Sequence, residues 1–325
     1  MENLDFSQDN LVLNSAEYIS SKASHVHIDF DALEVYSKSI SLQKIDHWLT
    51  HSPISLNHLS QNELLTFLFV FHSLSFSYWG DPDYFFIYEN KTYKTSWGLI
   101  VALCIATTQN KNILDIDFLF SISDEYLGSI LNINCIFPMF KERCEILRSS
   151  ARVIKEKFGG KINSIIDEAE HDAGKMMNLL YTNFSAFRDE GIYLDRQVFF
   201  MKKAQILIGD IDRTFPAPVG KLANIERLTA CADYRLPQLM RHLGILKYSP
   251  ELSAIIDSKK IIDKNSSYEL EIRGSTIKVN EEIRKILENK FSQNIRALDV
   301  NDFLWISAKE TKNMKPYHLV RTTMY

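Results

Sequence analysis

The chain has 325 residues, 46% hydrophobic and 24% charged, with a net charge of −4. That is ordinary globular composition, without the basic excess of a protein that grips a polynucleotide backbone. No apolar run approaches the length of about 18 residues that a membrane span needs, and the polar, acidic start MENLDFSQDN is unlike a secretory leader. The four cysteines, Cys104, Cys135, Cys144 and Cys231, are scattered without a CxxC pair. They read as reduced thiols of a cytoplasmic protein rather than as a disulfide framework.

In chain order, residues 1–11 read as a loose, flexible start and 12–325 as a single helical domain. Helices are expected from Asn62 to about Leu74 and from Trp97 to about Thr107; both are apolar nearly all round and should lie in the core. Phe140, Cys144, Leu147, Ala151, Ile154 and Phe158 step by four and three, which predicts an amphipathic helix. Asp167 to Asp172 form an acidic run that reads as a solvated face. Asp195 to about Ile211 predicts another helix with Asp195 as its N-cap. In CADYRLPQLMRHLG (231–244), Pro237 suits a first turn and Gly244 a C′ position. Leu236, just before the proline, leans extended. Tyr268, Leu270 and Ile272 alternate with polar residues before Arg273-Gly274-Ser275, and Ile277 and Val279 follow, which predicts a small β-hairpin near 267–279. The fold class is therefore mainly α, with no repeat and no linker.

Two places carry candidate chemistry. On the predicted 195–211 helix, Phe199, Lys202, Ile206 and Asp210 share a stripe, so a cation and a carboxylate face an apolar environment. A snorkelling lysine and a frayed helix end account for the same pattern. Asp233, Tyr234 and Arg235 sit just before a helix start, where backbone N–H groups and the helix dipole keep a carboxylate ionised; a plain capping aspartate is the alternative. His47 and His51 have i, i+4 spacing without the glutamate of a zincin, so no metal site is expected. Phe76, Tyr78, Trp79 and Trp97 form either core or a stacking wall for a flat base. Nucleotide-binding glycine loops are missing.

Several stretches together resemble one family. DEGIYLDRQVFFMKKAQILIGD, LTACADYRLPQLMRHLGILKYS, YELEIRGSTIKVNEEI and LDVNDFLWISAKETKNMKPYHLVRTTMY are similar to its consecutive blocks. NSAEYISSKASHVHIDFDAL, LSFSYWGDP and IFPMFKERCEILRSSARVI are similar to its earlier segments. The family is that of the queuosine salvage proteins, and the likeness runs from about residue 12 to 325. Lys203 stands where an arginine commonly follows the first lysine, and Leu236 where valine or isoleucine is usual.

The resemblance implies hydrolysis of queuosine 5′-phosphate to the 7-deazapurine queuine and ribose 5-phosphate, on a helical fold distantly like helix-hairpin-helix DNA glycosylases. It implies no cofactor or metal, no polynucleotide, no membrane and no obligate protein partner. Queuine has no N7 to protonate, so stabilising positive charge on the ribose gains weight. Asp233 is expected to stabilise that charge or activate water, with Lys202 pairing to it or binding phosphate. Lys203 and Arg235 are further phosphate candidates, Phe199, Tyr234 and Trp79 stacking candidates, and Asp210 and Gln238 readers of base edges; His27 completes the substrate-binding set. A DNA-repair-type base glycosylase and a non-catalytic nucleobase-binding protein are the alternative readings; the first would bind duplex in a salt-sensitive way.

Overall fold

The computed structural model describes residues 4–41, 45–109, 112–131 and 137–325, and they are mainly helical. α1 (Leu11–Lys22), β1 (Val26–Ile28) and α2 (Phe30–Ser39) open the chain. The core helix α3 (Gln61–Leu74), the hairpin β2 (Phe85–Tyr88) and β3 (Lys91–Lys94), and the second core helix α4 (Thr95–Thr108) follow. Then come α5 (Ile116–Leu119), α6 (Asp124–Leu131), α7 (Phe140–Lys157), α8 (Asn163–Glu168) and α9 (Ala173–Asn183). The hairpin β4 (Glu190–Tyr193) and β5 (Arg196–Phe199) leads into α10 (Lys202–Thr214) and α11 (Arg235–His242). The chain closes with β6 (Leu246–Tyr248), α12 (Pro250–Asp257), α13 (Ser267–Phe291) and α14 (Ala297–Glu310). The strands form three antiparallel pairs: β1 with β6, β2 with β3, and β4 with β5.

Buried apolar residues from Phe6 to Tyr325 form one connected core. α3 carries a Ser60–Glu63 capping box and is buried through its last three turns; α4 is buried from Gly98 to Ala106. Two buried cations hold the carboxyl end of α3. Arg143, on α7, reaches the Leu74 and Phe76 carbonyls and stacks on Phe76 and Phe137. Lys203, on α10, donates to the Ser73 carbonyl at 3.1 Å. Both complement the negative end of the helix dipole. Among the described residues no helix is long and apolar enough to cross a membrane. Cys104, Cys144 and Cys231 are buried free thiols; Cys135 lies outside the described residues.

The structure corrects four local expectations. Residues 267–279 are not a hairpin but the first half of α13, a 25-residue helix. Their alternation mimics a strand because Glu269, Glu271 and Arg273 are buried too, held by distant partners. Glu271 accepts the His25 and Val26 N–H groups and the Tyr193 hydroxyl. Glu269 accepts the Tyr325 hydroxyl, and Arg273 forks onto Asp189 at 2.8 and 2.7 Å. Gly274 is there for close approach, since a Cβ would sit 2.7 Å from Ile19 on α1. The 195–211 helix is really a strand and a shorter helix: Asp195 is at the hairpin turn with φ +63°, and α10 begins only at Lys202. Leu236 is helical, because a proline in the first turn gives up no helical hydrogen bond. Asp172 of the acidic run is buried and caps α9 through the Lys175 N–H. Ahead of α1, Phe6 is buried against Tyr181 and Phe199.

Candidate active site

α3, α4, α10, α11, α14 and the C-terminal segment surround a cavity of ≈ 260 Å³. Its apolar lining comes from Trp48, Phe71, Tyr78, Ile206, Leu236 and Trp305; its charged lining from Asp83, Lys94, Lys202, Asp233, Arg235, Asp302 and Lys309.

Asp233 is the carboxylate that the fold positions most firmly. Its Oδ1 accepts the Arg235 N–H at 2.7 Å and the Leu236 N–H at 3.1 Å, both free because they open α11. Oδ2 receives no hydrogen bond from the described residues, and the side chain is 8% exposed. Lys202 enters the same cavity from the first position of α10 at 9% exposure. Asp189, itself locked by Arg273, accepts the Lys202 N–H and fixes that helix start. The Lys202 ammonium has no hydrogen-bond or ion-pair partner among the described residues.

Behind one wall, Asp210 gathers three donors. Trp48 Nε1 donates to Oδ1 at 2.9 Å, His47 Nε2 lies 2.9 Å from the same oxygen, and His72 Nε2 lies 2.7 Å from Oδ2. Burial alone would raise its pKa, but the hydrogen bonds from the two imidazoles hold the carboxyl well below its usual range. Burial lowers the His72 pKa and keeps the ring neutral, so its Nε2–H donates to Asp210. Nδ1 is left a buried acceptor without a partner among the described residues.

α14 contributes a stripe: Asp302, Trp305 and Lys309 at i, i+3, i+7. Burial pushes the Asp302 carboxyl up to about 6 although Arg213 pairs with it. Lys309 donates to Thr95 Oγ1 at 2.9 Å and Ser96 Oγ at 3.4 Å, and lies 4.8 Å from the Trp305 ring. Burial, with the neighbouring Arg235 charge, lowers its ammonium to about 8.

Of the residues picked from sequence, Lys202, Asp233, Tyr234 and Arg235 line the cavity. Asp210 stands behind it, orienting Trp48 and His72, which do line it. Gln238 is also one layer out, accepting from Arg235 Nη1 and donating to the Lys315 carbonyl. Lys203 is the α3 clasp and not part of the lining. Phe199 packs against Phe6 and Tyr181. Trp79 lies beneath the Arg321 guanidinium at 3.6 Å, and His27 sits on β1 opposite Lys247; neither lines the cavity. Missed from sequence were Trp48, His72, Thr95, Ser96, Asn301, Asp302, Trp305 and Lys309. The α14 residues carried a readable signal in their shared helix face. Among the described residues, no three or more His, Cys, Asp or Glu side chains gather as a metal would need.

An aromatic cavity holding one half-free carboxylate and several cations without ion-pair partners among the described residues has the chemistry that suits a flat, anionic small molecule. The Queuosine salvage protein family profile matches residues 56–325, and the chain belongs to that family. The Queuosine 5′-phosphate N-glycosylase/hydrolase of Sphaerobacter thermophilus is 30% identical over 324 residues, spanning 97% of each chain. Its namesake in Dictyostelium discoideum is 30% identical over 97% of this chain and 98% of its own. That of Mus musculus is 30% identical over 96% and 97%.

Proposed function

We propose that this protein hydrolyses the N-glycosidic bond of queuosine 5′-phosphate, releasing queuine for salvage into tRNA, with ribose 5-phosphate as the other product. The observation that carries the reading is Asp233: one oxygen is tied to the start of α11, and the other is left free in an aromatic cavity.

As the C1′–N bond breaks, its electron pair goes to the base and positive charge builds on the ribose. A fixed carboxylate beside C1′ stabilises that charge without reorganising. Water then bonds to C1′, and Asp233 takes one of its protons; the departing base gains a proton. Because a 7-deazapurine offers no N7 to an acid, the sugar-side carboxylate carries more of the catalysis. Asp233 is oriented by the backbone N–H groups of Arg235 and Leu236, and Lys202, whose ammonium makes no ion pair among the described residues, is the proposed cation that meets the substrate's phosphate. Trp48, Trp305 and Tyr234 are the proposed stacking surfaces, and Asn301, the neutral His72 and Asp302 the groups that read base edges.

The mainly helical build is in keeping with a distant kinship to helix-hairpin-helix base glycosylases, which cut the same kind of bond. The cytoplasm is the compartment this reading assigns. The test is to incubate the purified protein, without added metal, with queuosine 5′-phosphate and follow queuine by mass spectrometry. Release is expected; a folded wild-type protein that releases none would overturn the reading.

A further inference from the structure

Lys202 and Asp233 come from separate helix starts, those of α10 and α11, and a side chain outside the cavity ties the two together. Arg273, on α13, is buried and is not part of the lining. Its Nη1 and Nη2 fork onto Asp189 at 2.8 and 2.7 Å, and Asp189 Oδ2 accepts the Lys202 N–H at 3.1 Å. Its Nε donates at 3.2 Å to the carbonyl of Ala232, the residue bonded to Asp233.

Both contacts act on backbone. The Ala232 carbonyl lies in the rigid peptide plane that carries the Asp233 N–H. Anchoring it sets where Asp233 stands, while the Arg235 and Leu236 N–H groups set how its carboxylate turns. On the other side, Met201 gives α10 no side-chain cap. Asp189 fills that role from a distance: its carboxylate takes the Lys202 N–H, and its own carbonyl takes the Phe200 N–H at 3.0 Å. Two rings hold the guanidinium in place, with Cζ 4.1 Å from the Phe200 centroid and 4.4 Å from that of Tyr325. Stability is a poor account of this arrangement, since apolar packing often serves as well as a buried ion pair. A planar fork with a third, separately directed donor is what the two anchors need, and an ammonium cannot supply it.

We infer that Arg273 is a positioning residue for the hydrolysis. It holds the start of α10 and the turn before α11 at a fixed separation, and so keeps Lys202 and Asp233 in register with one substrate. This rests on the proposed hydrolysis and deepens it, adding a residue that touches no substrate. A misplacement of about 1 Å at a reacting group costs on the order of 10²-fold in rate.

The experiment measures kcat and KM for queuosine 5′-phosphate, with urea unfolding alongside, in the wild type, Arg273→Lys, Asp189→Asn and Gly274→Ala. It repeats Arg273→Lys in an Asp233→Asn background. Arg273→Lys keeps a charge against Asp189 but cannot hold both segments, so kcat should fall on the order of 10–10²-fold in the folded protein. Because that loss runs through Asp233, the same substitution should cost far less in the Asp233→Asn background. Gly274→Ala, the next residue of α13 and pressed against Ile19, should lose stability and keep the wild-type kcat. A folded Arg273→Lys with wild-type kcat, a loss equally large in both backgrounds, or a loss matched by Gly274→Ala overturns the positioning role and leaves hydrolysis intact. If Arg273→Lys does not fold, Asp189→Asn decides, since it loosens Lys202 and spares the bond to Ala232. A raised KM with kcat less affected supports the role, and wild-type values of both overturn it. A wild type that releases no queuine overturns the hydrolysis itself, and the part of Arg273 in it.

Discussion

Asp233 and Arg235 are joined through the backbone and not through their charges: the Arg235 N–H donates to Asp233 Oδ1 at 2.7 Å, while the guanidinium turns to Gln238 and the Ala308 carbonyl. The carboxylate is therefore held rigidly without being neutralised by its neighbour. That combination suits a group that must stabilise a developing positive charge.

The two functions of Asp233 can be separated by substitution. Asp233→Asn keeps an oxygen to accept the two N–H groups but loses the charge. Queuine release should fall on the order of 10²–10³-fold or more, with unfolding close to wild type. Asp233→Ala should show the same loss of rate and cost about 1 kcal/mol as well, because the start of α11 loses its acceptor. Single-turnover assays with urea unfolding check both; near-wild-type turnover in Asp233→Asn would move the proposed catalytic group elsewhere.

Lys203 separates what sequence suggests from what the structure places. Beside Lys202 it looks like a second phosphate ligand, yet it donates to the carboxyl end of α3, and burial holds its pKa well below normal. Lys203→Met should cost about 1–3 kcal/mol, since the Ser73 carbonyl loses its donor. The nucleotide-to-nucleoside preference should stay at the wild-type value. A collapse of that preference in the folded variant would return Lys203 to the phosphate site.

The core helices α3, α4 and α7 and the turn before α11 were legible because their signals are local: apolar periodicity, a proline in the first turn, and Gly244 at C′ with φ +76°. The α13 error has a physical cause. A buried helix can place Glu269, Glu271 and Arg273 inside when distant partners satisfy them, and period-two alternation then says nothing of exposure. The site was half legible for a related reason. Lys202 and Asp233 stand out as charges in apolar surroundings, whereas Thr95, Ser96 and Lys309 acquire meaning only when α14 brings Lys309 across to α4. Residue type also did not predict depth: Asp210 and Gln238 look like base readers but serve the layer behind the lining.

Asp210 offers a pH test. Its folded pKa is depressed, so its stabilising contribution is present above the unfolded carboxylate value of about 4 and is lost as pH falls through the lower folded value. Asp210→Asn should be less stable by about 3 kcal/mol near neutrality, because the buried Trp48 and His72 and the half-buried His47 lose an ionised acceptor. The gap from wild type should narrow below about pH 4. Urea unfolding across pH measures this; a constant gap would mean Asp210 contributes by shape and not by charge.

Gly274 tests how closely α1 and α13 pack. An alanine Cβ there would lie 2.7 Å from Ile19 Cβ and Cγ2, and since it meets Cβ itself, no Ile19 rotamer relieves the clash. Gly274→Ala should cost about 1–3 kcal/mol as overpacking, despite the better helix propensity of alanine. An equal or higher unfolding midpoint would show that the two helices slide apart freely.

The pH dependence of substrate preference tests whether the charge on Lys309 bears on the substrate's phosphate. Burial, with the neighbouring Arg235 charge, lowers the Lys309 ammonium to about 8, and a phosphate is attracted only to a cationic side chain. A phosphate monoester gains its second charge near pH 6. The nucleotide-to-nucleoside ratio of kcat/KM should therefore rise through about pH 6, hold, and fall above about pH 8. Groups that act on both substrates, Asp233 among them, cancel in that ratio. Lys309→Arg should abolish the alkaline fall, because a guanidinium stays charged throughout. A ratio that stays level above pH 8 in the wild type would mean that the charge on Lys309 does not hold the phosphate.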